Sequence, residues 1–158
     1  MLEEGKKSYK IHQIAPDSFY GSVLVSKFIN HIMRRGEKSV ARNIVYDSFK
    51  GIKEKSKKDP LEVFENAISN VSPDQEVRSK RVGGATYQVP MKVNRKRSTS
   101  LAMRWIAESA RKKKGKKMSE KLLEEILSAS NNEGEAIKKK ETMHKMAKAN
   151  KAFAYLAK

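Results

Sequence analysis

Cysteine is absent from the 158-residue sequence. Its absence excludes disulfide bonds, thiol catalysis and every metal site that needs a cysteine ligand. Long apolar runs are missing too, since no stretch approaches the roughly 18–20 residues that span a bilayer. The N-terminal stretch has no apolar core and carries Glu3 and Glu4, so we expect neither a secretory signal nor a transit peptide there. These absences predict an intracellular protein, or one already inside an organelle, with no membrane partner.

Acidic residues are few relative to basic ones. The chain has 35 Lys and Arg against 18 Asp and Glu, which gives a net charge of +17. A charge this large opposes compaction unless a polyanion neutralises it. We therefore interpret the chain as a nucleic-acid-binding protein, with an anionic membrane surface as the weaker alternative. No helix-turn-helix, zinc finger or basic zipper is recognisable, so composition alone does not choose between RNA and DNA.

Catalytic motifs are also lacking. His12, His31 and His144 are far apart and match no metal-binding spacing, and no glycine-rich phosphate loop occurs. The adjacent Glu124 and Glu125 are expected to be solvated, and neighbours on a helix do not face each other. An RNA-processing enzyme would need clustered histidines, acids or a metal site. We therefore expect no enzyme, no metal and no cofactor.

Helical periodicity dominates what is present. A chain of this length fits one domain, residues 1–158, and we expect a mainly α fold of about six helices with one β-hairpin. Residues 1–17 are expected to form an extended basic arm carrying Lys6, Lys7 and Lys10. The predicted helices begin near Ser22, near Lys38 or Ser39, at Pro60, near Ser98 or Thr99, near Met118 and at about Glu135, the last one running through residues 135–158.

Local signals refine the helix ends. Arg34 and Arg35 are expected in the last turn of the first helix, where positive charge suits the helix dipole, with Gly36 as the stop. Gly51 is expected to let the second helix fray, because glycine costs about 1 kcal/mol relative to alanine in a helix. Trp105 falls on the apolar stripe of its helix, so we expect it in the core.

Residues 76–93 give the one convincing β signal. Apolar and polar residues alternate on either side of Gly83-Gly84, which can adopt the positive φ angles of a hairpin turn. Pro90 lacks an N–H, so its strand needs an open edge. A two-stranded ribbon is marginal alone in water. We expect the helices to hold this basic arm outside the core and to present it to nucleic acid.

The same stretch carries a family resemblance. The run E-V-R-S-K-R-V-G-G-A-T-Y-Q-V-P at 76–90 resembles the signature of the small-subunit ribosomal protein seven family, of bacterial and organellar type. Collinear matches are L-V-S-K-F-I-N at 24–30, D-P-L-E-V-F-E at 59–65, L-A-M-R-W at 101–105, A-R-K-K-K-G-K-K-M-S at 110–119 and H-K-M-A-K-A-N-K-A-F-A at 144–154. The resemblance covers about residues 16–154.

The resemblance implies a helical protein with a protruding hairpin that binds the 3′ major domain of small-subunit ribosomal RNA. It implies an early role in assembly of the subunit head, near the exit site for transfer RNA and the messenger path. The implied partners are ribosomal RNA, exit-site transfer RNA, messenger RNA and the neighbouring proteins numbered eleven and nine. It implies a ribosome in the bacterial cytoplasm or in an organelle, and we expect no homo-oligomer.

Site residues follow from the matched positions. The RNA-facing candidates are Lys38, Arg78, Lys80, Arg81, Arg97, Arg104, Arg111, Lys112 and Lys113. The expected hairpin tip is Gly83, Gly84, Tyr87 and Gln88. The last helix contributes Lys139, Lys140, His144, Lys145, Asn150 and Lys151.

The chain departs from the family pattern at two basic segments. Residues 94–98 read N-R-K-R-S where the family usually has R-P-x-R-R, and Glu37 inverts one charge in the G-K-K-S motif. The alternative function is that of a non-ribosomal protein that compacts DNA or RNA, because a glycine-tipped basic arm also suits minor-groove insertion.

Overall fold

Six α-helices and one β-hairpin make up residues 11–157, the part of the chain that this computed structural model describes. In chain order the elements are α1 (Val23–Ile32), α2 (Lys38–Ser56), α3 (Pro60–Val71), β1 (Gln75–Val82), β2 (Ala85–Lys92), α4 (Arg95–Lys112), α5 (Met118–Ser130), α6 (Glu135–Ala149) and a terminal 3₁₀ segment (Lys151–Ala157). The mainly α class with a hairpin is confirmed. Lys6, Lys7 and Lys10 of the predicted arm lie outside the described residues. Among those residues no helix is both long and apolar enough to cross a bilayer.

Helix α1 starts where the sequence predicts and ends earlier. The Ser22 hydroxyl accepts a hydrogen bond from the Val25 amide at 3.4 Å, which caps the helix. The helix ends at Ile32, so the prediction that Arg34 and Arg35 lie in its last turn is wrong. Arg35 has φ 55° and belongs to the turn that follows. The C-terminal carbonyls of α1 are instead met by a side chain from α4, described below.

Helix α2 continues through Gly51 to Ser56, so the expected fraying at Gly51 is wrong. The reason is tertiary: a Cβ atom at position 51 would overlap Cδ1 of Leu123 in α5. The missing side chain lets α2 and α5 approach closely, and Ile52 beside it is fully buried. Packing therefore offsets the low helix propensity of glycine.

Helices α3 and α4 show how caps decide helix starts. Asp59 accepts from the Leu61 amide at 3.1 Å and Pro60 is the first residue of α3, as predicted. The predicted start of α4 near Ser98 is wrong, because Asn94 accepts from the Arg97 amide at 2.9 Å and starts the helix at Arg95. An asparagine at the N-cap is a strong start signal.

The core forms where the apolar stripes of α1 to α5 meet. Phe28 of α1, Phe49 of α2 and Phe64 of α3 are fully buried, and Phe64 lies 4.8 Å from Phe28 and 5.2 Å from Phe49 between ring centroids. Trp105 of α4 is 7% exposed, which confirms its predicted place in the core. This core is the body on which the hairpin is mounted.

The hairpin is antiparallel with a two-residue turn. Val82 pairs with Ala85, and Gly83 and Gly84 have φ angles of 57° and 85°. Positive φ at both central residues is the geometry of a type I′ turn, which matches the twist of the strands. The tip is exposed, as the sequence predicts. The rest of β2 is different, because Val89 is only 1% exposed and the strand lies against α6 and the terminal 3₁₀ segment.

Helix α6 and the terminal 3₁₀ segment cover one side of the hairpin. The expectation of one helix over residues 135–158 is wrong, since the α-helix ends at Ala149 with Asn150 as its C-cap. The Phe153 amide then donates to the Asn150 carbonyl at 2.9 Å, in the tighter 3₁₀ pattern. This tightening brings the Phe153 ring to 5.2 Å from Tyr87 of β2. The arm is therefore supported on one side rather than free.

The α5–α6 turn depends on a buried carboxylate. Glu125 is 1% exposed, so the expectation that it is solvated is wrong. It accepts from the Ala136 amide at 2.9 Å and lies 3.4 Å from the Lys113 ammonium. Gly134 has φ 96° there, and a Cβ on it would lie 3.1 Å from the Glu125 carboxylate. The carboxylate thus caps α6 in place of a local side chain.

Replacing Glu125 with alanine is expected to lower the free energy of unfolding by about 2–4 kcal/mol, because it leaves the buried Ala136 amide without its acceptor and the Lys113 ammonium with only the more distant Glu124. Thermal and urea unfolding followed by circular dichroism would measure the loss. Glu124→Ala is the matched control, because the neighbouring carboxylate is 31% exposed and should cost far less. Equal losses in both variants would contradict the capping role.

Candidate nucleic-acid interface

The structure divides the predicted RNA-facing side chains into two groups. One group is engaged inside the fold, by carboxylates or by backbone carbonyls. The other group is exposed and free to meet phosphates. This division is not visible in the sequence, where all of these residues look alike.

Glu76 engages two of the predicted cations at the base of the hairpin. It is 5% exposed, and its carboxylate lies 2.5 Å from Arg78 Nη2 and 3.2 Å from Arg97 Nη2. Burial acts to raise the pKa of Glu76, but the hydrogen bonds and charges of Arg97 and Arg78 hold that pKa below its ordinary value. Arg78 belongs to β1 and Arg97 to α4, so the carboxylate ties the hairpin to the body.

Three more predicted cations have partners within the fold. The Arg111 guanidinium donates to the carbonyls of His31 and Ile32 at 3.0 and 3.2 Å, which satisfies the C-terminus of α1. The Lys113 ammonium lies 3.6 Å from the Glu124 carboxylate and 3.4 Å from the Glu125 carboxylate, both on α5. The Lys80 ammonium donates to the Leu156 carbonyl at 2.6 Å and so holds the 3₁₀ segment on the hairpin.

Four predicted cations are exposed and form no ion pair within residues 11–157: Lys38, Arg81, Arg104 and Lys112. Lys38 is the first residue of α2 and Arg81 lies next to the hairpin turn, whereas Arg104 and Lys112 are on α4. Exposed cations spread over three elements can bind the phosphates of a folded polyanion.

The predicted hairpin tip is only half right. Gly83 and Gly84 form the turn, but Tyr87 and Gln88 lie midway along β2, paired with Lys80 and Ser79. The Gln88 amide donates to the Ser79 hydroxyl at 2.9 Å, and the Tyr87 ring contacts Phe153. Both side chains therefore help to fix the ribbon.

The predicted residues of the last helix are also divided. The Lys139 ammonium lies 2.6 Å from Glu108, and Lys140 donates to the Asn70 carbonyl at 2.8 Å. His144 Nε2 accepts from the Asp74 amide at 3.2 Å, so it fastens α6 to the start of the hairpin.

The remaining three lie towards the end of that helix. The Asn150 amide donates back to the Met146 carbonyl at 2.9 Å, within the same helical turn. Lys145 and Lys151 are exposed. Together with Arg81 they give the hairpin side of the molecule its accessible positive charge.

Sequence reasoning missed an aromatic cluster before α1. The Asp17 carboxylate accepts from the Tyr20 amide at 2.9 Å and from the Tyr46 hydroxyl at 2.7 Å. Burial acts to raise the pKa of Asp17, but these hydrogen bonds hold it below its ordinary value. Phe19 is 74% exposed beside the two tyrosine rings. The D-S-F-Y-G pattern, an aspartate accepting from amides two and three residues on, was the available signal.

Residues 11–157 contain no group of three or more histidine, aspartate or glutamate side chains that could hold a metal ion.

Comparisons with known proteins place this geometry in a family context. A family model described as Ribosomal protein S7p/S5e matches residues 4–151. A small ribosomal subunit protein uS7 from Thermotoga neapolitana is 62% identical over 143 residues, which cover 90% of this chain and 92% of that relative. Proteins of the same name from Thermosipho africanus and Desulfatibacillum aliphaticivorans are similar as well. The first is 55% identical over 150 residues, covering 95% of this chain and 97% of the relative. The second is 56% identical over 143 residues, covering 90% and 92%.

Replacing Glu76 with glutamine is expected to lower the free energy of unfolding by about 1–2 kcal/mol near neutral pH, because two arginines lose their anionic partner. Since the folded pKa of Glu76 is lowered, the ionised carboxylate stabilises the fold above the unfolded pKa of about 4.3. That contribution is lost as the pH falls from there through the folded pKa. Urea unfolding across this window should therefore show the wild-type advantage shrinking.

Glu65→Gln is the matched control, because Glu65 is exposed on α3. It should leave stability nearly unchanged at every pH. A difference between wild type and Glu76→Gln that does not change with pH would contradict the ion-pair assignment.

Proposed function

The chain belongs to the ribosomal protein S7p/S5e family, and from this premise we propose that it is a structural constituent of the small ribosomal subunit that binds directly to the 3′ major domain of its ribosomal RNA. The resemblance found in the sequence is confirmed by the family match. The role is structural and not catalytic, as the family implies.

One observation supports the RNA-binding mechanism above the others. Arg81, Arg104 and Lys112 are exposed, whereas Arg97, Lys113 and Lys139 are matched with Glu76, Glu124, Glu125 and Glu108. Carboxylates inside the fold thus neutralise the cations that organise it, and the exposed cations are available for phosphates. Each phosphate neutralised by such a cation releases counterions and adds to affinity.

The hairpin gives the binding surface its shape. Its base is tied to α4 through Glu76 and its side is covered by Phe153, so Arg81 and the Gly83-Gly84 turn extend from a supported ribbon. RNA helices are recognised largely through shape and backbone contacts. We therefore place the tip and α4 against an RNA junction, whose arrangement the protein would fix.

We add to this proposal a more specific role in assembly of the small subunit. Binding of this kind early in assembly would organise the subunit head, with the hairpin and α6 near the exit site for transfer RNA and the messenger path. The neighbouring proteins numbered eleven and nine are the expected protein partners. The three relatives described above come from bacteria, so we propose a bacterial ribosome as the location.

Replacing Arg81, Arg104 and Lys112 together with alanine should weaken binding to a 3′ major-domain RNA fragment. It should also flatten the log–log salt dependence by about 0.7–0.9 for each lost phosphate contact. Filter binding across a salt series would measure both. Circular dichroism should show that helix content is preserved.

The control is the triple replacement of Arg97, Lys113 and Lys139, which removes the same charge from ion-paired positions. It should lower stability more and RNA affinity less. Equal loss of affinity in both triples would mean that only overall charge matters. Wild-type binding to a generic structured RNA or to duplex DNA as tight as to the ribosomal fragment would favour the compacting alternative.

A further inference from the structure

A cleft lies between α1 and the first turns of α4. It has a volume of about 640 Å³, within the roughly 300–1,000 Å³ typical of small-ligand sites. Ile14, which is 40% exposed, and the half-buried Leu24 supply its apolar surface, whereas Met103 also lines it but is only 1% exposed. We call it the α1–α4 cleft. None of the individual site residues predicted from the family resemblance lines it, although Arg95 and Lys96 belong to a basic segment of the sequence.

The polar groups of the cleft sit around that apolar lining. Asn30 and His31 come from α1, and Thr99 and Ser100 come from α4. An amide, an imidazole and two hydroxyls can both donate and accept hydrogen bonds. Burial, followed by the charges of Arg104 and Arg111, lowers the pKa of His31, so its ring is neutral near neutral pH. The cleft therefore offers flat apolar contact together with adaptable hydrogen bonding.

Its charge is of one sign. Lys27, Arg95 and Lys96 line the cleft, all three are exposed, and none forms an ion pair with a carboxylate of residues 11–157. No acidic side chain lines it either. Four other clefts of the described part each include a carboxylate, from Glu37, Glu135, Glu65 with Asp74, or Asp17. Charge complementarity thus favours an anionic occupant here more than in those four clefts.

A single nucleotide matches this combination. A nucleobase has apolar faces and a polar edge, and the adjoining phosphates are anionic. We propose that the α1–α4 cleft holds one unpaired, unstacked nucleotide of the bound RNA, with its base against Ile14 and Leu24 and its phosphates on Lys27, Arg95 and Lys96. The proposal rests on the RNA-binding function above and adds a site where an individual base is held.

The test fills the cleft without changing charge. Ser100→Phe places a ring in the space that the base would occupy. It should weaken binding to the 3′ major-domain fragment by about tenfold, roughly 1.4 kcal/mol, because the base and all of its contacts would be excluded. The salt dependence should be unchanged, because every cation is retained. Asn66→Phe is the matched control, since Asn66 is exposed on α3 next to Glu62 and Glu65. It should bind like wild type.

A second variant still tests the site if Ser100→Phe does not fold. Asn30→Leu has nearly the same volume and removes only the hydrogen bonding of the amide, so it should weaken binding several-fold. Replacing Lys27 and Lys96 with alanine should reduce the salt slope by about 0.7–0.9 for each phosphate lost. Photocrosslinking of the wild-type complex should attach a nucleotide to peptides that contain His31 or Met103.

The outcomes separate this proposal from the broader one. If wild type prefers the ribosomal fragment and both Asn30→Leu and Ser100→Phe match Asn66→Phe, the nucleotide site is overturned while the RNA-binding function stands. If the wild-type protein shows no preference for the ribosomal fragment, the proposed RNA-binding function is itself contradicted, and the nucleotide site that rests on it is overturned with it. If the variants bind RNA fully but fail to enter reconstituted subunits, the cleft holds part of a protein neighbour and the nucleotide proposal is overturned.

Discussion

Electrostatic self-repulsion is the constraint on which the structure depends. With 35 basic and 18 acidic residues, cations that the fold brings together repel one another unless a carboxylate or carbonyl lies among them or they stay exposed to solvent. Glu76 and Glu125 are both nearly buried, and each lies where basic segments converge. Breaking such a pair leaves an uncompensated charge in a poorly solvated place. These carboxylates, together with the backbone carbonyls that accept from Lys80 and Arg111, therefore separate the cations that organise the fold from those left for phosphates.

Local signals predicted which helices and strands form better than they predicted where each of them begins and ends. The caps at Ser22 and Asp59 and the Gly83-Gly84 turn act within a few residues, so the sequence identifies them directly. The errors at Gly51 and at the end of α6 have a different cause. Leu123 of α5 packs against Gly51 of α2. The Phe153 ring packs on Tyr87 of β2 after α6 changes into the 3₁₀ segment. Both contacts join segments far apart in the chain, where no local propensity can indicate them.

Remote partners also limited what the sequence could show about the interface. The sequence identified basic residues by type, but their partners are remote. Arg97 and Glu76 are 21 residues apart, Lys80 and Leu156 are 76 apart, and Arg111 and the His31 carbonyl are 80 apart. A side chain that satisfies a helix end and one that faces solvent look identical in a list of arginines. The α1–α4 cleft was missed for a related reason, since its lining comes from three separate segments.

Support of the hairpin links these internal contacts to function. A two-stranded ribbon alone is marginally stable in water, and contacts with phosphates position a protein only if the groups that make them are themselves fixed. Here Glu76 ties the base of the ribbon to α4, His144 fastens its start to α6, and Phe153 packs on its side. Each of these contacts stabilises the ribbon while leaving its turn exposed. Under the proposed function, the residues that hold the hairpin in place would contribute to RNA recognition without having to touch RNA, and their effect on binding would pass through the position of Arg81 at the tip.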